Sequence, residues 1–362
     1  MTMTVTSAFV GAPLHPAAAA TTVGRQPAAG VCARRPAVRM VAAASPASPS
    51  SPPATETSPQ AYGRTEAHFG RIVTAMITPF KTARGGAEVD YAVAEQLAAY
   101  LAGHGSDALV VGGTTGESPT LKWSEQYELF NVVRQTVGHK VRLIAGAGSN
   151  STDEAIEATR RAKKLNYDGT LQVVPYYNKP PQEGLYQHFK SIAAAEPDLP
   201  VMLYNIPGRS GINMSAEVTS RLARLDNVVA TKEASGDLDQ FTDIRRNTDA
   251  DFHMYSGDDA LTLPLMSLGA TGVVSVASHF IGPELQRMVK LYLDGHVADA
   301  TALHLRYSRL FADLFCMANP IPTKAGLRLQ GWAVGPPRLP LTDATPEVEA
   351  KIAALFRDLG LA

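Results

Sequence analysis

The chain has 362 residues, 45% of them hydrophobic and 19% charged, with a formal net charge of -1. That is globular composition, enough for one large domain or two modest ones, and the balanced charge excludes a protein built around a basic nucleic-acid surface. Cys32 and Cys316, far apart in sequence, make no metal-ligand spacing and no disulfide framework, and no apolar run approaches the roughly 18 residues of a membrane span.

The N-terminus differs in kind. Met1 to Thr55 holds no Asp or Glu, and the first acid is Glu56. The stretch is Ala, Pro, Ser and Thr with arginines at Arg25, Arg34, Arg35 and Arg39. Such a segment cannot bury a core, so disorder is expected. It lacks the continuous apolar region of a secretory signal. Its acid-poor, hydroxylated, arginine-containing character is that of an organelle transit peptide, and points to the plastid stroma (chloroplast) ahead of the mitochondrion; a disordered tail with no address is the plainer alternative. Cleavage is expected within Val38 to Ala44, with Ser45 to Pro59 as linker. Residues 1–60 are therefore read as transit peptide and linker.

The rest alternates short β-branched runs with amphipathic stretches. Strands are predicted at Ile72–Thr78, Ala108–Gly112, Arg142–Ala147, Thr170–Val174, Val201–Asn205, Val228–Glu233, Phe252–Ser256 and Gly272–Val276. Most are continuous apolar runs, as expected of strands covered on both faces. Helices are predicted at Tyr91–Ala102, Ser124–Val137, Thr152–Leu165, Gly184–Ala194, Ala216–Leu225, Leu238–Arg246, Ala260–Leu268 and Pro283–Leu293. Ser124, Ser151 or Thr152, and Ser215 stand ahead of acidic first turns as start signals. Eight such pairs predict an α/β fold, a (β/α)8 TIM barrel over residues 61–296. A doubly wound open sheet is the other arrangement. Its dinucleotide-binding versions carry a Gly-rich turn after the first strand, where this chain has Thr78-Pro79-Phe80. After His296 the pattern is helical at Val297–Phe315, Thr323–Leu329 and Pro346–Leu359, which predicts an appended C-terminal helical bundle over residues 297–362.

In barrels of this kind the chemistry sits at the C-terminal strand ends. Those ends read Gly112-Gly113-Thr114-Thr115-Gly116-Glu117, Gly146-Ala147-Gly148-Ser149-Asn150, Pro175-Tyr176-Tyr177-Asn178, Tyr204-Asn205-Ile206-Pro207-Gly208-Arg209, Thr231-Lys232-Glu233, Ser256-Gly257-Asp258-Asp259 and Val274-Ser275. The opposite ends read as lacking comparable groups, and this polarity points to an enzyme. Lys232 stands inside an apolar strand with small neighbours, Ala230 and Ala234. Burying an ammonium ion costs several kcal/mol, so a buried lysine needs a reason. Desolvation favours the neutral amine that attacks carbonyls; a structural Lys232–Glu233 pair or a strand-edge lysine is the plainer reading. Tyr204 on the neighbouring strand suits proton transfer, and Tyr177 with Thr114 or Thr115 suits a hydroxyl relay. Backbone N–H groups of the Gly-Thr-Thr-Gly turn suit one carboxylate and the Arg209 guanidinium a second. Each has a structural alternative in packing, a plain turn or surface charge.

Other features carry less. Asn150-Ser151-Thr152 and Asn213-Met214-Ser215 fit a glycosylation sequon by chance. Asp258-Asp259 resembles a metal pair but lacks a ligand motif, and helix capping accounts for it. The nine histidines form no motif, and no metal is expected.

Taken together, Gly113 to Ser118, Pro175 to Asn178, Tyr204 to Arg209 and Lys232-Glu233-Ala234-Ser235-Gly236 resemble the signature segments of the pyruvate-dependent class I aldolase family. Ser256 to Asp259, Asn319-Pro320-Ile321-Pro322 and Arg338-Leu339-Pro340 match as well, and the likeness runs from about Arg71 to the end. Within that family the chain is most similar to the dihydrodipicolinate synthase branch. The resemblance implies condensation of pyruvate with L-aspartate 4-semialdehyde in lysine biosynthesis by the diaminopimelate pathway, with no metal or organic cofactor beyond the covalent Schiff base. It implies Lys232 as the Schiff-base lysine and Tyr204 as proton donor and acceptor. Thr114 and Tyr177 would complete the relay, Tyr177 across a subunit interface. Thr115, Val274 and Gly257 would line the pyruvate site, and Arg209 would hold the semialdehyde carboxylate. N-acetylneuraminate lyase and the 2-keto-3-deoxy sugar acid aldolases share the lysine and tyrosine; Arg209 sets this chain apart from them. An inactive barrel serving as scaffold or ligand sensor is the non-enzymatic alternative, and the intact Lys232 and Tyr204 argue against it. The resemblance further implies an allosteric L-lysine feedback site at Ser118, Trp123, Asn150, Glu154 and Tyr176, with Gln126 where a histidine is expected. It also implies a homotetramer built as a dimer of dimers.

Overall fold

Strand lengths and pairing settle the architecture. The computed structural model describes residues 67–81 and 88–361; the transit peptide, its cleavage site and the linker lie outside the described residues. Eight strands run β1 Ile72–Ala75, β2 Ala108–Val111, β3 Arg142–Gly146, β4 Gly169–Val173, β5 Val201–Asn205, β6 Val228–Glu233, β7 His253–Ser256 and β8 Gly272–Ser275. They pair in parallel in sequence order, and the sheet closes where Thr74 of β1 pairs with Ser275 of β8. The open-sheet alternative is excluded.

Closure explains the apolar strands. Val73, Val110, Ile144, Leu171, Met202 and Ala230 fill the barrel interior, while Ile72, Leu109, Val111, Leu143, Leu203 and Val273 face the helical shell. With both faces buried, alternation of apolar and polar residues disappears. Phe69 closes the lower end, so close to β4 that a Cβ on Gly169 would lie 2.6 Å from its ring.

The helical shell departs from the sequence expectation in places. The helix after β2 starts at Trp123, not Ser124: Lys122 takes the N-cap position, and Glu125 reaches back to accept from its N–H at 2.9 Å. Ser151 and Ser215 cap as expected, accepting from Glu154 and Val218. Beyond β7 a 3-10 turn, Asp259–Leu261, precedes the helix Thr262–Ser267. The helix expected from Pro283 begins at Ser278 and is broken at Ile281, so Pro283 marks its second segment rather than its start. The C-terminal helices Val297–Asp313, Ile321–Leu329 and Pro346–Leu359 contribute Ala300, Leu310, Phe311, Leu327, Ile352 and Phe356 to the same outer core as the barrel helices.

Candidate active site

The pleat delivers the two leading residues to one place. Tyr204 of β5 and Lys232 of β6 are register partners. Tyr204 lies in the interior cluster, as does Ala230, two residues before Lys232 and on its side of the strand. Lys232 is 6% exposed, and its Nζ stands 4.2 Å from the centre of the Tyr204 ring. Among the described residues no carboxylate pairs with it. Glu233, one residue on, faces the other way. Its carboxylate accepts from Asn205 Nδ2 at 3.1 Å, the Ser235 N–H at 2.8 Å and Gln240 Nε2 at 3.4 Å. The plainer Lys232–Glu233 pairing is therefore absent. Burial pushes the Glu233 carboxyl above its ordinary range, against the pull of these donors.

Gly257 makes room for the lysine. A Cβ there would meet Ala234 Cβ at 2.6 Å and Lys232 Cε at 3.2 Å. Val274 of β8 is 1% exposed within the interior cluster. Asp258 accepts from the Ala260 N–H as a cap. Asp259 does not cap. It accepts from the N–H groups of Val276 and Ala277, both at 3.0 Å, and from the Ser275 hydroxyl, tying the ends of β7 and β8 together.

The turn after β2 is tightly held. Gly112 has φ 67°, Glu117 takes φ 57°, the Glu117 N–H donates to Thr114 O at 3.0 Å, and the Ser118 N–H donates to Gly113 O at 3.2 Å. Among the described residues the N–H groups of Thr114 and Thr115 meet no acceptor of the chain, which leaves two donors for a ligand carboxylate. The Thr115 hydroxyl accepts from Asn319 Nδ2 at 2.8 Å.

Thr114, Arg209, Ser118, Trp123, Glu154 and Tyr176 line one cavity of about 410 Å³ above the barrel. Asn150 supports its wall by donating to Tyr176 O at 3.1 Å. Gln126 also lines it, with Nε2 donating to Gly146 O at 2.5 Å and Gly112 O at 3.3 Å. A narrower recess reaches from Thr114 down to Tyr204. Tyr177 does not join them within the chain: it is 90% exposed with φ 74°, a strained conformation for a tyrosine.

One expectation needs correction. The N-terminal strand ends are not bare. A cavity of about 720 Å³ there is lined by His68, Asp107, Lys140, Arg142, Asp168 and His253. Three of its charged groups are engaged in closing the barrel: Arg142 pairs with Asp168 at 3.0 Å, and Asp107 accepts from the Arg71 and Ile72 N–H groups. Sequence reasoning also passed over a second buried lysine. Lys324 Nζ lies 2.6 Å from Glu117 Oε1, both side chains fully buried. The signal was available, because Lys324 stands in the apolar run Ile321 to Leu327 much as Lys232 stands in its strand.

A closed eight-stranded barrel with a buried lysine at its C-terminal rim, unpaired among the described residues, is the arrangement expected of a Schiff-base lyase on the (β/α)8 scaffold. Residues 68–359 match the model of the dihydrodipicolinate synthetase family, and the chain belongs to that family. It is 58% identical over 294 residues to the 4-hydroxy-tetrahydrodipicolinate synthase of Microcystis aeruginosa, covering 81% of this chain and 98% of that one. It is 58% identical over 293 residues to the enzyme of the same name from Nostoc, covering 81% and 99%. A crystal structure of the dihydrodipicolinate synthase of Cyanidioschyzon merolae with lysine bound is 62% identical, with a TM-score of 0.80 over 82% of this chain and all of that one. Of the two branches the sequence left open, these relatives fall on the first. Among the described residues no cluster of His, Cys, Asp or Glu could hold a metal ion.

Proposed function

We propose that this protein is a 4-hydroxy-tetrahydrodipicolinate synthase that condenses pyruvate with L-aspartate 4-semialdehyde in lysine biosynthesis by the diaminopimelate pathway. The observation that carries the reading is Lys232, buried, without an ionic partner among the described residues, and 4.2 Å from the Tyr204 ring. Its Nζ attacks C2 of pyruvate, and loss of water gives the imine. Loss of a C3 proton gives the enamine, whose C3 attacks the aldehyde carbon of the second substrate. The amino group of the adduct then displaces Lys232 at C2 and closes the ring, with one water released overall. Tyr204 gives and takes the protons at the carbinolamine. No metal or organic cofactor enters the sequence.

In this reading the Thr114 and Thr115 N–H groups hold the pyruvate carboxylate, with Val274 and Gly257 as the walls of its pocket. Arg209 holds the carboxylate of the semialdehyde. Thr114 and Tyr177 complete the relay, Tyr177 from a second copy of the chain. Its exposed ring on a strained backbone supports that role, since such strain persists where function requires it; the dimer of dimers is taken from the family resemblance. The part of that cavity bounded by Ser118, Trp123, Glu154 and Tyr176, with Asn150 behind it, is assigned to feedback by L-lysine; the lysine-bound relative supports this. The acid-free N-terminus and the cyanobacterial and red-algal relatives support a plastid address, with residues 1–60 as leader and linker, 61–296 as barrel and 297–362 as the C-terminal helical region.

The test is borohydride reduction in the presence of pyruvate, followed by mass spectrometry of intact and digested protein. A reduced pyruvyl adduct on Lys232, absent in Lys232→Ala, is expected. A folded wild-type protein that gives no adduct overturns the reading.

A further inference from the structure

The C-terminal helical region enters the active-site face through one buried ion pair. Lys324, on the helix Ile321–Leu329, meets Glu117 at the end of the turn that carries Thr114 and Thr115. The contact is 2.6 Å long, between side chains with no solvent exposure, and it joins segments 207 positions apart. Glu117 Oε2 also accepts from the Arg338 N–H at 2.9 Å. Phe80 lies between two cations, 4.1 Å from Lys324 Nζ and 4.5 Å from the Arg338 guanidinium. Arg338 is held in turn by Glu125, at 2.6 and 2.9 Å, and by Thr120 O. Asn319, at the head of the same helix, donates to the Thr115 hydroxyl.

A buried ion pair is a poor stabiliser, because desolvation offsets most of its attraction; its contribution is geometric definition. Here the geometry defined is unusual. Glu117 is a non-glycine residue in the left-handed region, where a Cβ costs on the order of 1 kcal/mol. Its carboxylate is fixed on both oxygens by groups from the C-terminal region. Rotation at Glu117 would turn the preceding peptides, which carry the two unpartnered N–H groups.

We propose that Lys324, acting through Glu117, is a positioning residue that holds the Thr114–Thr115 amides toward the pyruvate carboxylate, so that the C-terminal helices are part of the substrate site. The proposal rests on the reading of that turn as the carboxylate cradle. The groups facing Lys324 are Glu117, Arg328, Asp343 and, across Phe80, Arg338. Burial brings the Lys324 ammonium down to about 8, although Glu117 opposes the change. Loss of its proton would leave Glu117 buried without a countercharge, so affinity for pyruvate falls as pH rises through that value.

Lys324→Met alone strands the Glu117 charge and risks misfolding, so the decisive variant is Glu117→Gln/Lys324→Met, which removes both charges and keeps the shape. Full-length protein is checked for fold by circular dichroism and thermal melting, then assayed across pH, with borohydride trapping titrated against pyruvate. The expected result is a roughly tenfold rise in KM and in the half-saturating pyruvate concentration for trapping, with kcat within about threefold of wild type. The alkaline fall in kcat/KM for pyruvate near pH 8 should disappear. A folded double variant with unchanged pyruvate half-saturation overturns the proposal. So does a parallel loss of kcat, KM effect and melting temperature with the alkaline limb retained. Wild type that traps no pyruvate would instead remove the functional reading beneath it.

Discussion

Lys232 and Lys324 are both buried, at 6% and 0% exposure, and differ in what faces them. Lys324 has a carboxylate at 2.6 Å; Lys232 has an aromatic face and a glycine that keeps space open beside its Cε. A paired ammonium is held in place, whereas an unpaired one in a pocket is available to a ligand. Arg209 is a third kind of cation, exposed on the four-residue helix Pro207–Ser210 at the cavity wall. Its guanidinium suits a second carboxylate. Arg209→Ala should raise KM for the semialdehyde on the order of tenfold or more while leaving pyruvate trapping on Lys232 unchanged, since a charged hydrogen bond is worth about 1.5–3 kcal/mol. Equal losses in both steady-state and trapping assays would argue against its role.

Elements place these residues through register and close approach. β5 and β6 pair Tyr204 with Lys232 and Asn205 with Glu233, so one register sets two pairs on opposite faces. The inner pair faces the recess. The outer pair belongs to a hydrogen-bonded brace in which Asn205 also accepts from the Met214 N–H at 3.0 Å. β7 then comes near enough that Gly257 N–H donates to Glu233 O at 2.8 Å, and any side chain at 257 would strike Ala234 and Lys232. Gly257→Ala should lower stability by about 1–3 kcal/mol, as overpacking does, and slow imine formation. Restoring space with Gly257→Ala/Ala234→Gly should recover part of the melting temperature. A single variant that melts and traps pyruvate like wild type would show that β7 gives way and that spacing here is not critical.

Over the whole molecule, burial sets the response to acid. His279 accepts from the Ile77 N–H at 3.3 Å and faces Val276 O at 2.8 Å, and burial lowers it to about 4. Burial lowers His188 and His253 to about 4 as well. The unfolded chain takes up these protons near pH 6.5 and the folded one does not, so stability falls as pH drops from 6.5 toward 4. Each group acting fully contributes up to about 1.4 kcal/mol per pH unit. Glu233 and Asp259, raised by burial, act in the opposite sense and reduce the slope. Thermal melts of wild type and His279→Gln at pH 7 and pH 5 should show a decline in the first and a smaller one in the second. Identical declines would remove His279 from the account.

The sequence by itself determined eight β–α pairs with both strand faces covered, for which a barrel is the simplest arrangement, while closure, against an open doubly wound sheet, was decided by the pairing of β1 with β8. It determined the rim residues too, since Lys232 in an apolar strand and glycines with hydroxyls at strand ends are local signals. Tertiary structure decided what depends on long-range approach. It separated Glu233 from Lys232, gave Asp259 to β8 rather than to a helix cap, and showed Arg142, Asp168 and Asp107 at the barrel floor to be engaged in closing it. It also joined Lys324 to Glu117 across 207 positions. Strand alternation and helical period report which way a side chain points; which partner it meets depends on where the closed barrel brings the rest of the chain.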